Sequence, residues 1–178
     1  VSTGVLDPRA DFALLHELHD EIDRWLARPR EELLGAAPSV SGWNSEQHIA
    51  HVSLANELIT RNLKSLIRGS GPLVLASGEP VPGALEILLS GTVPRGQAQA
   101  PRMVRPPDVV ERAYLVEWLA ENRRGFAEAE AQLDALEHAT CRIPHQVLGP
   151  LSAVQWVRFA AIHTRHHLAI ARDVLAAR

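Results

Sequence analysis

Apolar residues recur at three- and four-residue steps in four separate stretches of this chain, a period that is buried by packing helices on one another. Over residues 8–27 the stripe is Phe12, Leu15, Leu18, Ile22, Trp25 and Leu26. It is entered through Asp7 and Pro8, a capping residue followed by the residue favoured in a first helical turn. Arg28-Pro29-Arg30 interrupts the pattern, and a polar connection follows with room for one helical turn over residues 31–34. A second helix is predicted over residues 44–67. Asn44 and Gln47 open it as a capping box, Ile49, Val52, Leu54, Leu58, Ile59, Leu63 and Leu66 stripe it, and Gly69 ends it. Asp108 and Glu111 form a similar pair and predict a third helix through Trp118, Leu119, Phe126, Leu133 and Leu136. Ser152 and Gln155 open a fourth that ends near Ala177.

Glycine and proline are dense over residues 69–107, which predicts a long connection between the second and third helices, with a short helix over residues 82–89. Excursions of this length are uncommon in compact domains and often cover a functional site. The expectation is an all-α four-helix bundle in one domain, residues 1–178, long enough to bury a core without crosslinks. No strand is expected, since Leu73-Val74-Leu75 is too short to build on.

Charge and cysteine usage narrow the partners. A formal net charge of -3 lacks the basic surplus that binding a phosphate backbone requires, so nucleic acid is not an expected partner. The lone Cys141 excludes an internal disulfide and fits a reducing compartment, with cytoplasm the expected location. No apolar run reaches the roughly 20 residues needed to cross a bilayer. Residues 1–9 lack the basic-then-apolar order of a targeting segment, so neither membrane nor export is expected.

The chemistry sits in the histidines. In the fourth helix Trp156, Phe159, Ala160, His163, His167, Ile170 and Val174 share one stripe, so two imidazoles four residues apart point inward. Such a pair can share one ion, and burying both without a common partner would leave polar nitrogens to satisfy. In the second helix His51 lies in line with Ala55, Leu58 and Asn62 and can supply a third ligand. His48, one turn earlier, reads as a rim or outer partner, with direct ligation as the alternative. His166 is rotated off the stripe and is either a proton carrier beside the site or solvated. His16 and His19 read as surface residues, His138 as a helix end, and His145 as a loop residue near the mouth. Arg61, Arg158 and Arg165 are either solvated or hold a substrate anion, and Trp43 and Trp156 read as core or staple, with lining of the pocket as the alternative.

The run Gly42-Trp43-Asn44-Ser45-Glu46-Gln47-His48-Ile49-Ala50-His51, joined to Trp156-Val157-Arg158-Phe159-Ala160-Ala161-Ile162-His163-Thr164-Arg165-His166-His167-Leu168, resembles the DinB/YfiT-like superfamily of metal-dependent enzymes. The resemblance implies an up-down-down-up four-helix bundle with one metal ligand on the second helix and two, spaced H-x3-H, on the fourth. It places the ligands at His51, His163 and His167, with His51 preferred over His48 because it stands eight residues after Trp43. The chain departs from commoner members after His51, where Val52-Ser53-Leu54 replaces a small-residue pair and an acid.

A divalent ion, zinc or nickel, suits three nitrogen ligands, which leave a coordination position open as in catalytic zinc sites. Members of that superfamily include transferases acting on low-molecular-weight thiols such as bacillithiol and mycothiol. The expected activity is therefore a thiol S-transferase or a related hydrolase acting on a small-molecule substrate, with a low-molecular-weight thiol as cofactor and His166 as the catalytic proton carrier. The resemblance also implies a homodimer. The rival readings are a non-catalytic bundle stabilised by metal and a dimerisation module with vestigial histidines. Cys141 is not expected to be a nucleophile, since no activating base stands near it in sequence.

Overall fold

The computed structural model describes residues 5–96 and 99–177, so residues 1–4, part of the stretch read for a targeting signal, lie outside it. It is predominantly helical. The long helices are α1 (Pro8–Leu26), α3 (Ser45–Arg68), α5 (Arg112–Glu130) and α7 (Ala153–Ala176), and the short ones are α2 (Arg30–Leu34), α4 (Ala84–Ser90) and α6 (Leu133–His138).

Local signals fix the entries of three of the four long helices. Asp7 accepts hydrogen bonds from the backbone N–H groups of Arg9 and Ala10 at 3.0 and 3.2 Å. The Asn44–Gln47 and Ser152–Gln155 capping boxes both form, which satisfies N–H groups that the first turn of a helix leaves unpaired. Gly69 ends α3 in the left-handed region at φ 67°, where a side chain would be strained.

Three expectations are corrected. Asp108 and Glu111 do not form a capping box: α5 begins at Arg112, and Glu111 at its N-cap makes no side-chain capping bond. The third helix does not run through Leu133 and Leu136. It ends at Glu130, and both leucines sit on the separate α6, where they reach the core. Strands β1 (Ile143–His145) and β2 (Gly149–Leu151) pair antiparallel, with Ile143 opposite Leu151. Leu75 joins that hairpin through a two-way backbone contact with Arg142, at 2.8 and 2.9 Å.

Helix α3 packs against α5 and α7, and α1 packs against the same two helices. The apolar core falls into two clusters. One contains Phe12 and Leu15 of α1, Ile59 and Leu63 of α3, Phe126 and Ala129 of α5, and Trp156 and Val157 of α7. The other contains Leu18, Ile22 and Trp25, then Ile49 and Val52, then Leu115 and Leu119, then Leu168 and Ala171. In sequence, the stretches of α3, α5 and α7 that separate the two sets carry buried Ser53, Asn56, Asn122 and Thr164; His163 lies within the α7 stretch, and His51 stands just before the α3 one. Asn122 donates to the Ser53 carbonyl at 3.0 Å, and Asn56 donates to Thr164 Oγ1 at 3.2 Å. The interior is thus polar between two apolar ends, and His51, His163 and His167 issue from or beside that middle level.

The connection between α3 and α5 runs through α4 and a 3-10 turn at Arg102–Val104, and the expected short helix over residues 82–89 corresponds to α4. Arg158 donates to the Leu88 carbonyl and Arg165 to the Gly91 carbonyl, each at 2.7 Å, at the C-terminal end of α4 where carbonyls concentrate negative charge. Those two arginines therefore anchor the connection to α7. Arg61 pairs with Glu57 on its own helix.

Candidate metal centre

His51 comes from the second turn of α3, and His163 and His167 come from successive turns of α7, the helix that packs against it. Each of the three offers one ring nitrogen within 4.8 Å of the others. His51 Nε2 and His163 Nε2 are 3.2 Å apart. Two nitrogens held at about 2.1 Å from one tetrahedral ion stand about 3.4 Å from each other, so the spacing of this pair matches shared ligation.

The orientation of His51 is set from outside. Its Nδ1–H donates to the Val104 carbonyl at 2.7 Å, and a carbonyl can only accept, so the lone pair of a neutral ring must lie on Nε2, facing His163. Val104 belongs to the 3-10 turn of the long connection, which is how that excursion reaches the site. His163 is held by packing: its ring stacks on Phe159 at 5.0 Å and 29°, and its buried Nδ1 has no hydrogen-bond partner among the described residues.

Burial keeps these rings neutral. It pushes His163 and His167 well below the ordinary histidine range, with the neighbouring imidazoles adding repulsion, and it lowers His51 against a smaller opposing effect of the Val104 hydrogen bond. Neutral imidazole is the form that binds a metal, so the electrostatics and the geometry agree. The three side chains fit a divalent cation by donor type, spacing and protonation.

The remaining sequence candidates separate. His48 is buried, and its Nδ1 lies 3.1 Å from His167 Nδ1 while its Nε2 lies 2.9 Å from Ser41 Oγ. Burial lowers it to about 4. His166 is half-buried, with its ring perpendicular to that of His167 at 5.1 Å, and it is lowered first by burial and then by the Arg95 charge. His145 is at the edge of the group: its ring packs on Phe159 at 4.4 Å, and its Nδ1 accepts from the Val147 and Leu148 N–H groups. His138 is exposed on α6, and His16 pairs with Glu130 at 2.8 Å. His19 is not a surface residue. It is fully buried against Phe126, because its position on α1 faces α5.

For Trp43 the structure favours the pocket-lining alternative over core or staple, since its ring lies against the site. Its ring centroid is 5.4 Å from His48, 5.1 Å from His51 and 6.3 Å from His167. No spacing rule locates Trp43 there, because it precedes the helix and its direction depends on the turn through Ser41. Cys141 is buried and bonds the Leu66 carbonyl, away from the histidines.

A family model described as the DinB superfamily matches residues 14–171, which takes in α3, α5, most of α1 and α7, and every residue of the site. No curated protein and no solved structure gives a significant match. Among the described residues, no helix is long and apolar enough to cross a membrane.

Proposed function

The chain belongs to the DinB superfamily, and from that premise we propose that it is a metal-dependent thiol S-transferase in which His51, His163 and His167 hold zinc or nickel. The observation that carries this reading is the convergence of three neutral imidazoles from α3 and α7, with His51 Nε2 already aimed at His163 by the Val104 carbonyl. A bound cation supplies Lewis acidity, which favours the deprotonated form of a thiol or water presented to it.

The protein's own residues supply the rest. Trp43 covers one side of the imidazoles and restricts water there. His166 is half-buried beside His167 and is neutral at neutral pH, so it can take the proton that a thiol releases. The substrate is a small electrophile, and the co-substrate is a low-molecular-weight thiol. Hydrolysis at the same site is the close variant of this chemistry.

The wider reading is of one domain over residues 1–178, acting in the cytoplasm as a homodimer without nucleic-acid or membrane partners. We read the fold as an up-down-down-up bundle. In support, α1 and α7 run from the cluster around Phe126 to the one around Leu115, whereas α3 and α5 run the opposite way.

The test is conjugation by tag-free protein, loaded with zinc or nickel, of a panel of low-molecular-weight thiols to a chromogenic electrophile, with adducts identified by mass spectrometry. Metal-dependent turnover that disappears in His163→Ala is expected. Stoichiometric metal that raises Tm without turnover of any thiol or ester would assign the site to fold stabilisation instead.

A further inference from the structure

We infer that His48 is a positioning residue: it accepts the Nδ1–H of His167 and so holds His167 in the tautomer that leaves the lone pair on Nε2, the ring nitrogen that His48 does not engage. The inference rests on the metal reading above for its purpose, but its geometry stands apart from that reading.

His48 lies one helical turn before His51, on the same side of α3, and is 2% exposed. Its two ring nitrogens each have one neighbour, His167 Nδ1 at 3.1 Å and Ser41 Oγ at 2.9 Å. Two Nδ1 atoms at that separation share a single proton, and only two arrangements satisfy the chain of contacts. In one, Ser41 donates to His48 Nε2 and His48 Nδ1–H donates to His167. The proton of His167 then sits on Nε2, which leaves that ring without a free lone pair for an ion. In the other, His167 Nδ1–H donates to His48 Nδ1, and His48 Nε2–H donates to Ser41 Oγ. Only the second leaves a lone pair on His167 Nε2.

That arrangement gives His167 what Val104 gives His51, an outer acceptor that occupies Nδ1 and leaves the lone pair on Nε2. Ser41 is placed to end the chain, since its Oγ also accepts the Trp43 N–H at 3.1 Å and so is oriented by the turn that carries Trp43. His163 is the ligand without such a partner, because its Nδ1 is buried and unbonded. The site is therefore asymmetric: two ligands are aimed by hydrogen bonds, and the third by its stack on Phe159.

The test compares the full chain with His48→Phe, which keeps a ring but removes the acceptor, and His48→Asn, whose amide oxygen can stand near the Nδ1 position. Long-range proton–nitrogen NMR reads the His167 tautomer in metal-free protein, and chelator competition with zinc chloride reads affinity. The expected result is an Nδ1–H tautomer in the wild type and His48→Asn, lost in His48→Phe together with about 10- to 100-fold in zinc affinity. His48→Asn should recover most of that affinity.

A metal-free wild type protonated at His167 Nε2 would overturn the inference. So would undiminished zinc affinity in His48→Phe, or a metal-shifted nitrogen on His48 itself. Should the wild type take up no zinc, the metal reading fails, and the tautomer of the metal-free protein still judges the His48 contact. Should His48→Phe fail to fold, the wild-type tautomer and the His48→Asn affinity decide.

Discussion

Acid should weaken the bundle through His19, and replacing that residue should remove a defined part of the loss. The ring is fully buried against Phe126, and neither nitrogen has a hydrogen-bond partner among the described residues. Burial, reinforced by the Arg123 charge, lowers its pKa from 6.5 to about 4. The folded pKa lies below the unfolded one, so the contribution is fully present above pH 6.5 and is lost as pH falls toward 4, while the unfolded chain gains a proton that the folded one refuses. At about 1.4 kcal/mol per unit the whole effect is about 3 kcal/mol, of which about 2.5 kcal/mol is gone by pH 4.5. Urea unfolding of the wild type and His19→Leu, at pH 7 and pH 4.5 with chelator present, isolates this residue, because His48, His145 and the ligand histidines are common to both proteins. The variant should lose about 2.5 kcal/mol less than the wild type across that interval, with unchanged m-values. At pH 7 it should be at least as stable, since an unpaired polar group has been replaced by an apolar one. Equal losses in the two proteins would show that His19 is not a buried neutral ring.

Three further outcomes are expected. Glu46 is completely buried and pairs with Arg112 at 2.8 Å and Arg30 at 3.3 Å, so Glu46→Ala should cost about 3 kcal/mol in chemical denaturation, the low end for a broken buried pair because both arginines reach solvent; a cost below 1 kcal/mol would mean that the pair is solvated. Gly125→Ala would set a Cβ 2.8 Å from Thr60 Cγ2 where α3 meets α5, and should destabilise by about 1–2 kcal/mol despite a gain of up to about 1 kcal/mol in helix propensity; a higher Tm would refute the close approach. His166→Ala should keep its metal and fold while losing on the order of 100-fold in thiol conjugation, and normal turnover would remove His166 from the chemistry.

The parts of this molecule legible in the sequence are those fixed within one helical turn. The Asn44–Gln47 and Ser152–Gln155 boxes and the inward pair His163 and His167 follow from spacing alone. What spacing missed is set by distant partners. Arg112 opens α5 because its guanidinium bonds Glu46 and the Leu26 and Arg28 carbonyls, and no local cap announces that start. The hairpin strands are three residues long and carry Pro144 and Pro150, so no alternation marks them, and their register depends on pairing with each other and with Leu75. His19 is different, because spacing does mark it: it stands four residues after Leu15 and three before Ile22 on the α1 stripe, and the packing of α1 on α5 buries it there. The outer partner of His51 is a backbone carbonyl 53 residues away, and a carbonyl leaves no mark in a sequence.

X-ray absorption at the zinc edge of tag-free protein, read together with element analysis, addresses the three-imidazole centre most directly. One zinc per chain is predicted, with a nitrogen shell at about 2.0–2.1 Å that carries the scattering signature of three imidazoles in the wild type and of two in His51→Ala. Substoichiometric zinc, or an imidazole count that does not change when His51 is removed, would contradict the site.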